Sequence, residues 1–185
     1  MNDEITIDGV VYVRKDSCKC PFMNKEKENI SAKYGFTRET INYNGHILHR
    51  IIALKDFGKV TKGDIGGWIE NENNLSQKGD CWVYDDATVY GNAEVRDNAV
   101  LFNLADVFED AVVFENAEVY GNAEVFGHSR VYGNAEVFGN TKVFENAKVF
   151  GHANVCEHAW MFGNAKVCGN VVVCGNKQVY KGKIF

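Results

Sequence analysis

The chain has 185 residues, 45% hydrophobic and 24% charged, which fits one globular domain with a small appendage and excludes a large multidomain enzyme or a wholly disordered chain. Its six cysteines are too few for a secreted disulfide scaffold and read as reduced thiols. The net charge of -5 averages over opposites: residues 65–128 hold 2 basic and 13 acidic side chains, residues 129–185 hold 7 and 3.

The opening Met1-Asn2-Asp3-Glu4 lacks the basic and apolar regions of a signal peptide, and the chain holds no run of about 18 uncharged apolar residues. A soluble, cytoplasmic protein with no membrane contact is expected. Ile5-Thr6-Ile7, Asp8-Gly9 and Val10 to Val13 predict a hairpin, because Asp-Gly suits a type I′ turn. Arg14 to Ser31 is polar, holds the single proline, Pro21, and predicts a linker. Thr40 to Tyr43, Asn44-Gly45 and His46 to Leu54 predict a second hairpin, expected to lid the repeat region that begins at Ile65. The domain expectation is therefore 1–33 for hairpin and linker, 34–64 for a β-hairpin cap, and 65–185 for the repeat region.

From Ile65 the chain repeats in sixes: V-Y-G-N-A-E begins at Val119 and Val131, V-F-E-N-A-K at Val143, M-F-G-N-A-K at Met161. Counting in phase gives 20 hexads without an insertion. The first position is usually Val and the fifth Ala, two apart across the hexad boundary, so both share one strand face and point inward. The residue between them, as at Glu118, Glu136 or Lys148, points outward. Gly and Asn at positions three and four accept the positive φ of a corner. On this count Asn71, Gln77, Lys177 and Lys183 fall in inward slots and blunt the two open ends. Units this short must stack into a solenoid.

The pattern, an aliphatic residue every sixth position with a small residue two before it, resembles the hexapeptide-repeat family of left-handed parallel β-helices. The resemblance implies an all-β fold with three hexads per coil, about 6.7 coils and a left hand. The stretch from Tyr34 to Tyr84, with G-H-I-L-H-R-I-I-A-L-K-D-F-G, K-G-D-I-G-G-W-I-E and C-W-V-Y, is similar to an uncharacterised bacterial and prophage group with V-[YF]-G-N-A-x repeats. That similarity implies a phage or prophage origin, hence a host-cell cytoplasm, and assigns no reaction.

The best-known members of the family are trimeric acyltransferases with a general-base histidine and a loop ejected from the coil. His128, His152 and His158 all sit at the fourth, corner position, and the unbroken phase leaves no ejected loop. A carbonic-anhydrase-like zinc site would need three His together, yet these three fall on different corners. Cys18, Cys20, His46 and His49 make a poor metal set, since His46 and His49 are three apart on a predicted strand and face opposite sides. Cys156 and Cys174, 18 apart, should stack in adjacent coils. The expectation is no catalytic residue, no metal, no cofactor and no enzyme.

The second hexad position lines the outside with stacked aromatics. One column holds Tyr90, Phe108, Phe126, Phe144, Phe162 and Tyr180, with Leu104 at a nearby corner, and predicts a homo-oligomer interface, a trimer by resemblance. On another face Arg130, Lys148 and Lys166 recur beside Tyr132 and Phe150, a basic-aromatic binding column for an anionic group. Duplex nucleic acid is disfavoured by the acidic coils alongside. The sequence thus reads as a non-catalytic protein that sequesters a host protein or a small, nucleotide-type anionic signal, as counter-defence. The alternatives are a trimeric acyltransferase and a self-assembling structural scaffold.

Overall fold

In the computed structural model, residues 4–7, 10–13 and 32–185 are described, the first two segments by their backbone alone. They fall into two units, Met1–Ala32 and Lys33–Phe185. In the first, β1 (Glu4–Ile7) and β2 (Val10–Val13) pair antiparallel, with Ile7 opposite Val10, as the flanks of Asp8-Gly9 predict. The expected linker and Cys18 and Cys20 lie outside the described residues.

The second unit is all-β, a solenoid of about six turns whose rungs are two-residue strands stacked in parallel. Each coil closes by main-chain bonds to the next, Glu118 N–H to Ala135 C=O at 3.0 Å and Tyr120 N–H to Val137 C=O at 2.9 Å being typical. The inward Ala and Val columns, from Ala87 and Val89 to Ala165 and Val167, are wholly buried, with Ser129 and Thr141 standing in for Ala. A buried Val stabilises by about 1.5 to 3 kcal/mol, so the repeat itself is the core.

Three sheets form. The first has nine strands: the rungs at 88–89, 106–107, 124–125, 142–143, 160–161 and 178–179, extended at one edge by β5 (Ile65–Ile69), β4 (His46–Ala53) and β3 (Tyr34–Tyr43). The second carries the rungs at 94–95, 112–113, 130–131, 148–149, 166–167 and 183–184; the third those at 82–83, 100–101, 118–119, 136–137, 154–155 and 172–173. Asn44-Gly45 turns the β3–β4 hairpin with φ of 50° and 87°, both positive as a type I′ turn demands. The hairpin continues the first sheet beyond its first coil, with β4 antiparallel to β5. Tyr34, Leu48, Ile51 and Trp82 bury its inner side.

The hexad phase slips at both ends. Ile69 stands opposite Val89 and Leu75 opposite Val95, twenty residues apart rather than eighteen, so Ile69 and Leu75 fill the inward slots and Asn71 and Gln77 do not. Gly67 takes the small slot here, where an added Cβ would lie 2.5 Å from the Ala87 carbonyl oxygen. At the other end the last turn is one residue short: Lys183 stands opposite Lys166 and Ile184 opposite Val167, so Ile184 packs on the core and Lys183 faces out. Lys177 keeps its expected slot, since Gln178 and Val179 stand opposite Trp160 and Met161, and is exposed on the last turn. Of the four residues expected to blunt the ends, Lys177 alone keeps an inward slot; at the first coil the buried polar side chains are instead Asn74, whose Nδ2 donates to the Ala93 carbonyl at 2.9 Å, and Lys33, whose Nζ donates to the Cys81 carbonyl at 2.8 Å.

Corners differ from expectation too. From residue 79 to residue 175 positive φ falls on the third hexad position alone, as at Gly121 (74°), Glu109 (58°) and Glu145 (56°). At four of the six acidic residues in this position the carboxylate accepts the N–H one coil on: Asp85 from Asn103 at 2.8 Å, Asp97 from Glu115 at 3.2 Å, Glu109 from Gly127 at 2.9 Å and Glu145 from Gly163 at 2.8 Å. Cys156 and Cys174 are joined as a disulfide across adjacent coils, Cα atoms 4.7 Å apart, correcting the expectation of reduced thiols for this pair; an 18-residue register in a parallel ladder places them in contact.

Candidate functional site

The outward slot of the first sheet runs Trp68, Thr88, Asp106, Glu124, Lys142 and Trp160, in register from rung to rung. The hairpin tip reaches over its lower half. Tyr43 donates its hydroxyl to Asp106 Oδ2 at 3.1 Å, Thr88 Oγ1 donates to Asp106 Oδ1, and Asn44 Nδ2 donates to the Tyr90 hydroxyl at 3.2 Å. Asp106 is 8% exposed; burial lifts its carboxyl above the ordinary value, against the pull of the Thr88 and Tyr43 hydrogen bonds. Burial also raises Tyr43 and pushes Tyr90 up to about 12. Two clefts, of about 550 and 480 Å³, meet at Tyr43, Asp106 and Glu124. Asp86 and Leu104 line the first; His46, Tyr90 and Glu109 line the second.

At the second cleft His46 and Glu70 form a dyad. His46 Nδ1 is 2.9 Å from Glu70 Oε1, and Gly91 N–H donates to Glu70 Oε2 at 2.7 Å. The hydrogen bond with His46, and after it the one from Gly91, hold the Glu70 carboxyl below its usual range. An ionised Glu70 only accepts, so His46 Nδ1 is the donor in this hydrogen bond, the tautomer that in a neutral imidazole leaves the lone pair on Nε2. The His46 ring lies 4.8 Å from that of Tyr90, which fixes its plane. On the far side of the hairpin tip, Arg50 pairs with Asp86 at 2.8 Å and covers the Trp68 ring at 4.8 Å.

In the sequence His46 stands out only as a metal partner of His49. The two do face apart: His49 packs against Phe36 with ring centroids 5.1 Å apart. The partner that matters, Glu70, directly follows β5, whose antiparallel register pairs His49 with Ile69. The corner histidines stay at corners: His128, His152 and His158 are exposed, and His128 Nδ1 lies 3.5 Å from Asp110.

The predicted interface column forms as a stack. Tyr90, Phe108, Phe126, Phe144 and Phe162 follow at 4.8 to 5.2 Å, nearly coplanar, and Tyr180 tilts at the end. Tyr90 does not belong to an open surface: it is 4% exposed, because Tyr43, Asn44 and His46 cover it. Leu104 is 59% exposed, at the cleft rim. Phe114, Tyr132 and Phe150 also stack, 4.8 and 4.9 Å apart, so both faces of Tyr132 are taken by its neighbours. Arg130, Lys148 and Lys166 stand in register on the second sheet.

No family model matches the chain. Over 72 residues, 38% of its length, the chain is 36% identical to the uncharacterized acetyltransferase YdcK of Escherichia coli (strain K12), a match spanning 21% of that relative. The three-hexad coils and this similarity fit a hexapeptide-repeat β-helix. The similarity overturns the expectation that the chain is no enzyme: the named relative is an acetyltransferase, which points to an enzyme fold family. No described helix is long and apolar enough to cross a membrane.

Proposed function

We propose that the protein is an acyltransferase in which His46 is the general base and the acceptor is a cationic amine. The observation that carries this is the His46–Glu70 dyad, with Nε2 free at the lip of a cleft walled by carboxylates. The similarity to a named acetyltransferase supports it. Asp106, Glu109 and Glu124 give the second cleft an acidic lining that attracts an ammonium-bearing acceptor and repels anionic ones. In the step, a neutral amine nitrogen of the acceptor, a second ammonium group of which the carboxylates hold, attacks the carbonyl carbon of an acyl thioester. The C–N bond forms, the C–S bond breaks, His46 Nε2 takes the amine proton and passes it to the departing thiolate. Glu70 is a positioning residue that fixes the tautomer and steadies the imidazolium.

The test is steady-state acyl transfer from acetyl-coenzyme A to a panel of di- and polyamines and amino sugars. His46→Gln should lower kcat by 100-fold or more with KM within a few fold, the range that a lost general base produces. Wild type without turnover on any amine, or His46→Gln at wild-type rate, would overturn the reading.

A further inference from the structure

The shortened last turn brings Lys183 into line with Lys166, so the outward slot of the second sheet carries four cations on four consecutive rungs: Arg130, Lys148, Lys166 and Lys183. Rungs repeat at about 4.8 Å, and like charges directly opposite in neighbouring strands destabilise a sheet. The fold relieves this elsewhere. On the first sheet Lys142 Nζ sits 2.8 Å from Glu124 Oε2 in the same kind of slot. Among the described residues, Arg130, Lys148 and Lys166 form no ion pair and no side-chain hydrogen bond.

The corner column beside them shows the same lack of partners. Asparagine side chains elsewhere form ladders, Asn98 to Asn116 to Asn134 and Asn122 to Asn140, at 3.0 to 3.2 Å. The Asn146 and Asn164 amides stand outside any such ladder among the described residues, and with His128 they border a groove of about 450 Å³ floored by Arg130, Lys148 and Lys166. Along the column the groove is bounded by Val112 and then Glu94, and Asp110 closes it beside His128. Three cations and two amides thus converge on one open groove.

We infer that this groove binds a linear phosphate chain, a diphosphate or triphosphate moiety. A row of fixed cations at rung spacing suits several negative charges in line better than one, and guanidinium and amide N–H groups suit phosphoryl oxygens. The covered faces of Tyr132 assign recognition to the phosphates and not to base stacking at that ring. The inference stands apart from the acyl-transfer reading: the groove is on the second sheet, the dyad at the first.

Calorimetric titration of the full chain with inorganic tripolyphosphate tests it, with orthophosphate and a nucleoside triphosphate as further arms. Tripolyphosphate should bind at least tenfold more tightly than orthophosphate, and weaken as salt is raised. Arg130→Gln, Lys148→Gln and Lys166→Gln combined should weaken it by 20-fold or more, while Lys59→Gln, Lys62→Gln and Lys78→Gln, the same change in net charge, leave it within threefold. Equal affinity for tripolyphosphate and the nucleoside triphosphate supports recognition of the phosphates alone; tighter nucleoside triphosphate binding that the first triple variant removes supports the groove and names a nucleotide as its source. No binding by the wild type, or equal losses in the two triple variants, would overturn it.

Discussion

The same outward slot is treated in opposite ways on two faces of one solenoid. On the first sheet Asp106 and Glu124 face each other across adjacent rungs, and the conflict is absorbed locally by Tyr43, Thr88 and Lys142. On the second, Arg130, Lys148, Lys166 and Lys183 follow one another without a paired carboxylate, Lys183 resting over the Phe185 ring. The inward residues beneath both are mostly the same Val and Ala, with Ser129, Thr141 and Met161 among the exceptions. Fold and function are thus separated residue by residue: alternate positions along a strand build the core, and those between them are free to vary by face.

The largest test of that contrast is at the dyad. Glu70→Gln leaves a hydrogen-bond partner for His46 but can present its N–H to Nδ1 and favour the wrong tautomer; acetyl transfer should fall about tenfold or more in kcat, less than for His46→Gln, with stability changed by under about 1 kcal/mol. Next comes Lys148→Glu, which places a carboxylate between Arg130 and Lys166. Tripolyphosphate binding should fall about tenfold while the urea midpoint rises, by about 0.5 to 1 kcal/mol of stability. A fall in midpoint would show that the cationic run is not a source of repulsion.

Asp106→Asn should stabilise the protein by about 1 kcal/mol at pH 7. The sign follows from linkage. A carboxyl raised by burial favours folding fully only below its unfolded value, near 3.9, and that contribution is lost as pH rises through the folded value. The gain over wild type should therefore shrink as urea denaturation is repeated toward pH 4, and a gain that grows instead would sink this account. The smallest effect is expected of Tyr43→Phe, which removes one donor from Asp106 and should cost about 0.5 kcal/mol, the low end for one hydrogen bond, without loosening the hairpin.

How much of this is visible in sequence depends on which periodicity carries it. The sixfold recurrence of Val and Ala specifies the stacked rungs, and Asn44-Gly45 specifies the hairpin. The slip in the first coil is hidden because a shift of two residues preserves the alternation of the strand, so Ile69 and Leu75 satisfy either count, whereas Ile65, inward on the sequence count, is exposed. The five-residue last hexad has no marker beyond Gly182, whose φ of 85° makes the tighter turn. The site is less legible. His46 and Glu70 are 24 residues apart and meet only through the β4–β5 register, which holds a bulge between Arg50 and Ile52 that no local pattern announces. The basic column is visible by its 18-residue spacing; its fourth member is not, because the count places Lys183 inside.

The third-position carboxylates that reach one coil onward make each coil the template for the next. Length changes in this chain are therefore of two kinds. Duplicating or deleting eighteen residues within 83–179 adds or removes a whole turn and returns every later side chain to its own face. A six-residue change rotates everything beyond it by one face, moving Lys148 and Lys166 away from Arg130 while the buried columns remain intact. A gene that drifts by sixes keeps a folded protein and loses its surface; one that drifts by eighteens keeps both and changes only reach.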